Sequence, residues 1–455
     1  MKFTPRIWAG VFSVFLLPQG HAERTDLANL YELARLNDTL LSQVSIQRDI
    51  RHEAIHTARA NLLPQINTYF ALQALKDHRD VHSTYGGSGT AAEVGIRANQ
   101  LLYSPAVRLG VKVAQQEALG SQLLFDKAEQ ALVLRTSQAY FNVLRSEARL
   151  AAAQAIQQAI EEQRTQTKRR IKLGMSSELD LHEATAQLDM ANATIIHLKS
   201  FLQQRFDALR TLTGQTFTQV EPLNTHRFSP EIPRPNQVDW LTSAGLNNFD
   251  IQLANLAVST AQLELKRARA GHLPTLALSA GVQQSLHADL DANLADASTT
   301  PVELDDRLTS ADLAVSLDLP LYAGGRTSSL VKIARQGVEL AQVVQDDTRR
   351  NVEEQVRFAE QQVSASLHAL LAYEQSQRSA EAALVATEKG YEVGSRTMSE
   401  LLLATGNVYS AQTEAANARF DFIEQALTLK FLAGDLTPND ITVLNAGLVR
   451  SQADE

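Results

Sequence analysis

The segment Ala58-Arg59-Ala60-Asn61-Leu62-Leu63-Pro64 returns 210 residues later as Ala268-Arg269-Ala270-Gly271-His272-Leu273-Pro274. Other matches follow in the same order. Leu102-Tyr103 returns as Leu321-Tyr322, Leu173-Gly174 is echoed by Val393-Gly394, and Leu209, Leu212 and Gly214 return as Leu429, Leu432 and Gly434. Four ordered matches at a nearly constant offset exceed what Ala- and Leu-rich helices give by chance, so the chain reads as two copies of one unit. The first copy is placed at 23–221 and the second at 237–434. A Pro-rich linker at 222–236 joins them, and a tail at 435–455 follows. Pro230, Pro233 and Pro235 forbid a regular helix in the linker.

Each copy has the same internal order. A helix ends at the Leu-Pro pair, and two alternating strands follow, near 66–76 and 93–103 in the first copy and 274–287 and 309–321 in the second. A very long helix comes next, then a Gly-marked turn, then a second long helix. From about Val107 to Leu173 only Gly110 and Gly120 interrupt the pattern before the turn. Roughly 65 helical residues would measure on the order of 100 Å. Ala114, Ala118, Ser121, Phe125, Ala128, Leu132 and Ala139 follow coiled-coil spacing, and Leu123, Leu124, Ala131 and Leu134 add a second apolar stripe. Two stripes suit a wall of helices, although a soluble antiparallel coiled coil would use the same residues. The second copy repeats this from about Ser328 to Tyr391.

Composition excludes several classes. The 455 residues contain no Cys, which removes disulfides, Cys-based metal sites, thiol nucleophiles and a lipidated N-terminal Cys. With 42 Lys+Arg against 51 Asp+Glu, the chain lacks the basic surface that sequence-independent nucleic-acid binding needs. Residues 1–22 read as a secretory signal: Lys2 and Arg6 precede the apolar run Ile7 to Leu17, and cleavage is expected after Ala22. An uncleaved anchor is the alternative. No other segment reaches transmembrane-helix length, so entry into a membrane would have to use β-strands.

The strands alternate. In the first copy Val94, Ile96 and Ala98 oppose Gly95, Arg97 and Asn99. In the second, Leu276, Leu278, Ala280 and Val282 oppose Thr275, Ala277, Ser279 and Gly281, while Leu313, Val315, Leu317 and Leu319 oppose Asp312, Ala314, Ser316 and Asp318. Such alternation fits a water-filled transmembrane barrel and equally a half-buried soluble sheet. In the barrel reading Arg97, Asn99, Ser279, Asp312, Ser316 and Asp318 face the lumen. Four strands cannot close a barrel, but three chains supply twelve, enough for an aqueous bore.

The chain resembles the TolC family of outer-membrane channel proteins. The resemblance rests on ARANLLP and ARAGHLP, on LPLYAGGR at 319–326, and above all on GYEVGSRTMSELLLA at 390–404, followed by Ala416 to Phe420 in the final long helix. It implies an α+β membrane protein: a homotrimer whose twelve-stranded β-barrel, four strands per chain, continues into a long α-helical coiled-coil tunnel in the periplasm. It also implies outer-membrane lipid around the barrel, a periplasmic adaptor (membrane fusion) protein and an inner-membrane pump of RND or ABC type. The role would be the exit duct of a tripartite efflux pump or of type I protein secretion, with no enzymatic activity and no cofactor. Carried over position by position, a gate at the periplasmic tip falls on Asp180, Tyr391, Arg396 and Glu400, and the turns meeting the adaptor fall at Gly174 and Gly394. The family's second acidic position is Leu403 here, which weakens the expectation of tight cation binding.

Two other readings compete. A soluble periplasmic adaptor or scaffold would use the same helices without lipid-facing strands. His52-Glu53-Ala54-Ile55-His56 matches the zinc-protease pattern H-E-x-x-H, in which two imidazoles one helical turn apart hold zinc beside a general base. The second copy lacks that motif, with Gln262, Leu263 and Lys266 at the corresponding positions.

Overall fold

The computed structural model describes residues 24–76, 88–224, 237–288 and 307–448. The signal at 1–22, most of the linker and the end of the tail lie outside them. The elements repeat almost length for length. Helices α1 (Leu27–Asn37), α2 (Thr39–Ala60), α3 (Pro105–Lys172) and α4 (Glu178–Thr213) correspond to α5 (Gln237–Asn247), α6 (Phe249–Ala270), α7 (Arg326–Glu392) and α8 (Met398–Ala433). The long helices have 68 and 67 residues, and those after the turns 36 each. Short strands β1 (Arg24–Thr25) and β4 (Gln219–Val220) pair in parallel; the long strands are β2 (Gln65–Lys76), β3 (Ser88–Tyr103), β5 (Thr275–Ala288) and β6 (Arg307–Asp318). β6 stops at Asp318, short of the expected 321, because Pro320 has no N–H to give a ladder.

The first helix of each copy, expected as one piece, is two. Asp38 ends α1 through its N–H to Ala34 O (2.7 Å), and its carboxylate accepts the Leu41 N–H (3.0 Å). In the second copy the Asn248 side chain accepts from the Asp250 and Ile251 N–H groups. Short polar side chains that satisfy orphan helix donors end and restart a helix without Gly or Pro. Asp38 is buried and paired with Arg135 at 2.7 Å.

Two compact units cut across the sequence copies. One gathers residues up to 41, 129–239 and from 357 onward. Its core packs Leu27, Leu30 and Ala34 of α1 with Leu132, Tyr140 and Phe141 of α3, Leu209 of α4 and Phe420, Ile423 and Leu429 of α8, all buried. The Tyr140 hydroxyl donates to Glu221 O at 2.6 Å, and burial pushes its pKa far above the ordinary 10.0. The last helix, α9 (Pro438–Ala446), fastens onto the first: Asn445 Oδ1 accepts the Leu27 N–H (3.1 Å), and its Nδ2 donates to Asp26 Oδ2 (2.9 Å).

The same core holds an unbalanced charge group. Arg145 of α3 bonds Asp421 (2.6 Å) and Glu424 (3.3 Å) of α8. Burial raises the Glu424 pKa above its ordinary 4.5, against the pull of Arg145. The folded form then holds its proton more tightly than the unfolded chain, so stability is greatest at low pH and falls as pH rises through the raised value. Glu424→Gln should flatten the decline of the melting temperature as pH rises above the ordinary carboxylate range. An unchanged slope in paired thermal scans would remove Glu424 as its source.

The second unit comprises residues 42–128 and 240–356. It contains one antiparallel sheet in the order β2-β3-β5-β6, which leaves β2 and β6 as edges. Among the described residues no helix is long and apolar enough to cross a membrane.

Candidate functional site

Two regions bear on function: the turns closing the long helices and the faces of the sheet. The turns are copies of one device. After α3, Gly174 adopts φ +71°; its N–H reaches Ile171 O (2.9 Å), and the Met175 N–H reaches Arg170 O (2.8 Å). After α7, Gly394 has φ +80° and bonds Tyr391 O (3.1 Å), while the Ser395 N–H bonds Gly390 O (2.8 Å). This is the Schellman ending, and it needs a residue that tolerates the left-handed region. Both glycines are therefore structurally required, whatever else the turns contact.

A capping box restarts the chain each time. Ser177 accepts the Asp180 N–H while Asp180 accepts the Ser177 N–H; Thr397 and Glu400 do the same. Each acid expected in the gate is thus the third residue of a helix. Burial opposes ionisation of Asp180, but hydrogen bonds from Ser176 (2.6 Å) and Ser177 and the charge of Arg170 hold its pKa below the ordinary 3.8. Glu400 is likewise held low, by the Thr397 N–H (2.7 Å) first and by Arg396 (2.8 Å) next. The spacing Ser-x-x-Asp and Thr-x-x-Glu was available as the signal for these boxes.

Within the chain, Asp180 and Arg396 bond inside their own turns and not to each other. The residue that links the turns is Arg170 of α3. Its guanidinium lies 4.8 Å from the centroid of the Tyr391 ring on α7, and its charge acts on Asp180 of α4. Sequence reading missed Arg170, since nothing local marks a partner 221 residues away. It also missed Gly390, where a Cβ would stand 2.7 Å from Arg396 Cγ, so only Gly lets that side chain fold against the end of α7. Around the turns Leu173, Met175, Leu179, Val393 and Leu403 are exposed.

The sheet has one mainly polar and one mainly apolar face. Register pairs Asn99 with Ser279, Arg97 with Gly281, Gly281 with Asp312, Ala277 with Ser316 and Thr275 with Asp318. These pairings put Arg97, Asn99, Ser279, Asp312, Ser316 and Asp318 on one face. The other face carries Ile66, Phe70, Leu72, Val94, Ile96, Val282, Leu313, Val315 and Leu317, all exposed in the single chain. His52, Glu53 and His56 lie on exposed turns of α2, and among the described residues no third metal-ligating group gathers with them.

Comparison with known proteins agrees with this layout. The model of the outer membrane efflux protein family matches twice, at 30–215 and 240–435. The chain is 32% identical to the outer membrane protein TolC of Vibrio cholerae over 423 residues, covering 93% of this chain and 94% of the relative. It is 30% identical to the TolC of Escherichia coli, covering 94% and 86%. The proteases secretion protein PrtF of Dickeya chrysanthemi is 23% identical, covering 95% and 93%. Among solved structures, the transmembrane channel CusC superposes with a TM-score of 0.76 at 17% identity, covering 90% of this chain and 92% of that one.

Proposed function

The chain belongs to the TolC family of outer membrane efflux proteins, and from that premise we propose that three copies close one barrel and carry a gate at the turns of their long helices. The protein is an outer-membrane exit duct serving efflux and type I secretion, with its helices in the periplasm. The observation that carries the trimer is the sheet: four strands, two open edges and a predominantly apolar outer face. Lipid tolerates no bare strand edge, so β2 of one copy meets β6 of the next and the polar face turns inward. Arg97, Asn99, Ser279, Asp312, Ser316 and Asp318 then line the water.

The gate reading places Asp180, Tyr391, Arg396 and Glu400 at the periplasmic end. Arg396 is already spread along Glu400, and Arg170 braces the Tyr391 ring. These contacts hold the tip narrow within each copy, and exchange of Arg396 from Glu400 to a neighbouring Asp180 ties the copies together. The exposed Leu173, Met175, Leu179 and Val393 beside Gly174 and Gly394 offer an apolar surface to a periplasmic adaptor, whose binding would loosen the tip. An inner-membrane pump supplies the energy and selects the cargo, and the duct performs no chemistry.

Planar-bilayer recording of the purified protein tests this. Discrete low-conductance steps that depend on membrane insertion are expected, and Glu400→Ala should weaken block by trivalent cations added on the periplasmic side. Failure to insert, with release of the protein by osmotic shock, would favour the soluble scaffold instead.

A further inference from the structure

The polar face of the sheet carries an arrangement that neither the gate nor the barrel closure uses. Tyr69 of β2 stands directly opposite Gly95 of β3 in register, and Gly95 in turn faces Gln283 of β5. The Tyr69 ring does not project from the sheet. It lies across Gly95, so close that a Cβ there would fall 2.9 Å from three of its atoms. Its hydroxyl is held at the far side by Glu93 Oε1 (2.7 Å) and Gln283 Oε1 (2.9 Å), and the Arg97 guanidinium lies 5.4 Å from the ring centroid. The ring is half-buried, and Gly95 beneath it is buried although it sits on the polar face. One pair further on, Asp312 of β6 lies over Gly281 in the same way, its Oδ1 2.6 Å from where a Cβ would stand.

A side chain on a strand ordinarily stands roughly perpendicular to the sheet. An aromatic ring laid over a cross-strand glycine instead recovers packing area that the glycine lacks. Here it has a second consequence, because this face is concave and wet if the barrel is closed as proposed above. We propose that Gly95, by letting Tyr69 lie flat, sets the width of the outer bore, and that Tyr69 determines the largest cargo this section of the duct admits. The inference rests on the lumen reading of that face. Three rings lying down leave the passage open, whereas three rings standing up would form a constriction at one level. The anchors at Glu93 and Gln283 hold the flat state: the hydroxyl has one proton to donate, and the charged Glu93 is the stronger acceptor, with Gln283 Oε1 beside it.

The test reads the barrel section alone. Neutral polymers of graded size are added on the outer side of a bilayer-inserted channel, and the largest size that enters and reduces the current gives the outer bore regardless of the state of the periplasmic turns. Gly95→Ala should exclude polymers that the parent admits, and Tyr69→Ser/Gly95→Ala should admit them again. Glu93→Ala/Gln283→Ala keeps the glycine and frees the hydroxyl, so it should lower the cut-off without altering the strand backbone. This covers the case in which Gly95→Ala does not assemble. An unchanged cut-off in either inserted variant overturns the proposal. If the parent conducts but no polymer of any size enters from the outer side, the polar face does not line the bore, and the lumen reading falls along with it.

Discussion

Protein carrying Tyr391→Phe and Arg396→Ser should conduct several-fold more current per channel than the parent in planar bilayers. Arg396 loses its 2.8 Å bond to Glu400 and any bond it makes to a neighbouring copy. The Phe ring keeps its place beneath Arg170 but loses the hydroxyl that could tie it to an acid. A charge-assisted bond at a partly exposed site contributes modestly alone, so the single substitutions should open the tip less than the pair. Symmetry multiplies each loss by three. Arg170→Ala should act in the same direction, since it removes both the brace on Tyr391 and the charge that stabilises ionised Asp180. If the double variant conducts as the parent does, Tyr391 and Arg396 do not close the channel, and their contacts with Arg170 and Glu400 serve only to order the turns.

The largest loss of stability should come from Phe141→Ala. The Phe141 side chain is fully buried in α3, edge-on to Tyr140 at 5.8 Å and tilted against Phe420 of α8 at 5.9 Å. Truncating a buried Phe to Ala typically costs about 3–5 kcal/mol through lost transfer energy and the cavity left behind. The variant should melt well below the parent in detergent, whereas Phe141→Leu, which retains most of the volume, should recover much of the difference. A shift within the error of the scan would show that this core can collapse around the gap.

Much of this architecture can be read from the chain because its signals are periodic or repeated. ARANLLP and ARAGHLP mark the two helix-to-strand passages, and the alternation around Val94-Gly95-Ile96-Arg97 distinguishes the two faces of the strand. The family resemblance was carried chiefly by GYEVGSRTMSELLLA, and the family match bears it out. The parts that escaped lack such periodicity. Asp38 and Asn248 split their helices by capping, and no Gly or Pro announces the break. Asp180 and Glu400 read as gate acids, although each also has a local task, restarting a helix, that Ser177 and Thr397 foreshadow. The Arg170–Tyr391 contact and the flat Tyr69 ring depend on residues brought together from distant stretches, and such pairs leave no mark on the local pattern.

The bond of Asn445 to Leu27 and Asp26 also has a consequence for the order in which the molecule can be finished. By the time Asp318 has been exported, all four long strands are available, and the sheet can form from contiguous hairpins and one crossing. The helical unit has no such opportunity. Its first helix waits for partners from the middle of the chain and finally for α9, so its closure requires contacts of very high sequence separation, which form slowly. A chain released early would carry all four long strands but an unfinished helical unit. Periplasmic proteases could recognise that state, and loss of only the last dozen or so described residues should turn a stable duct into a short-lived one.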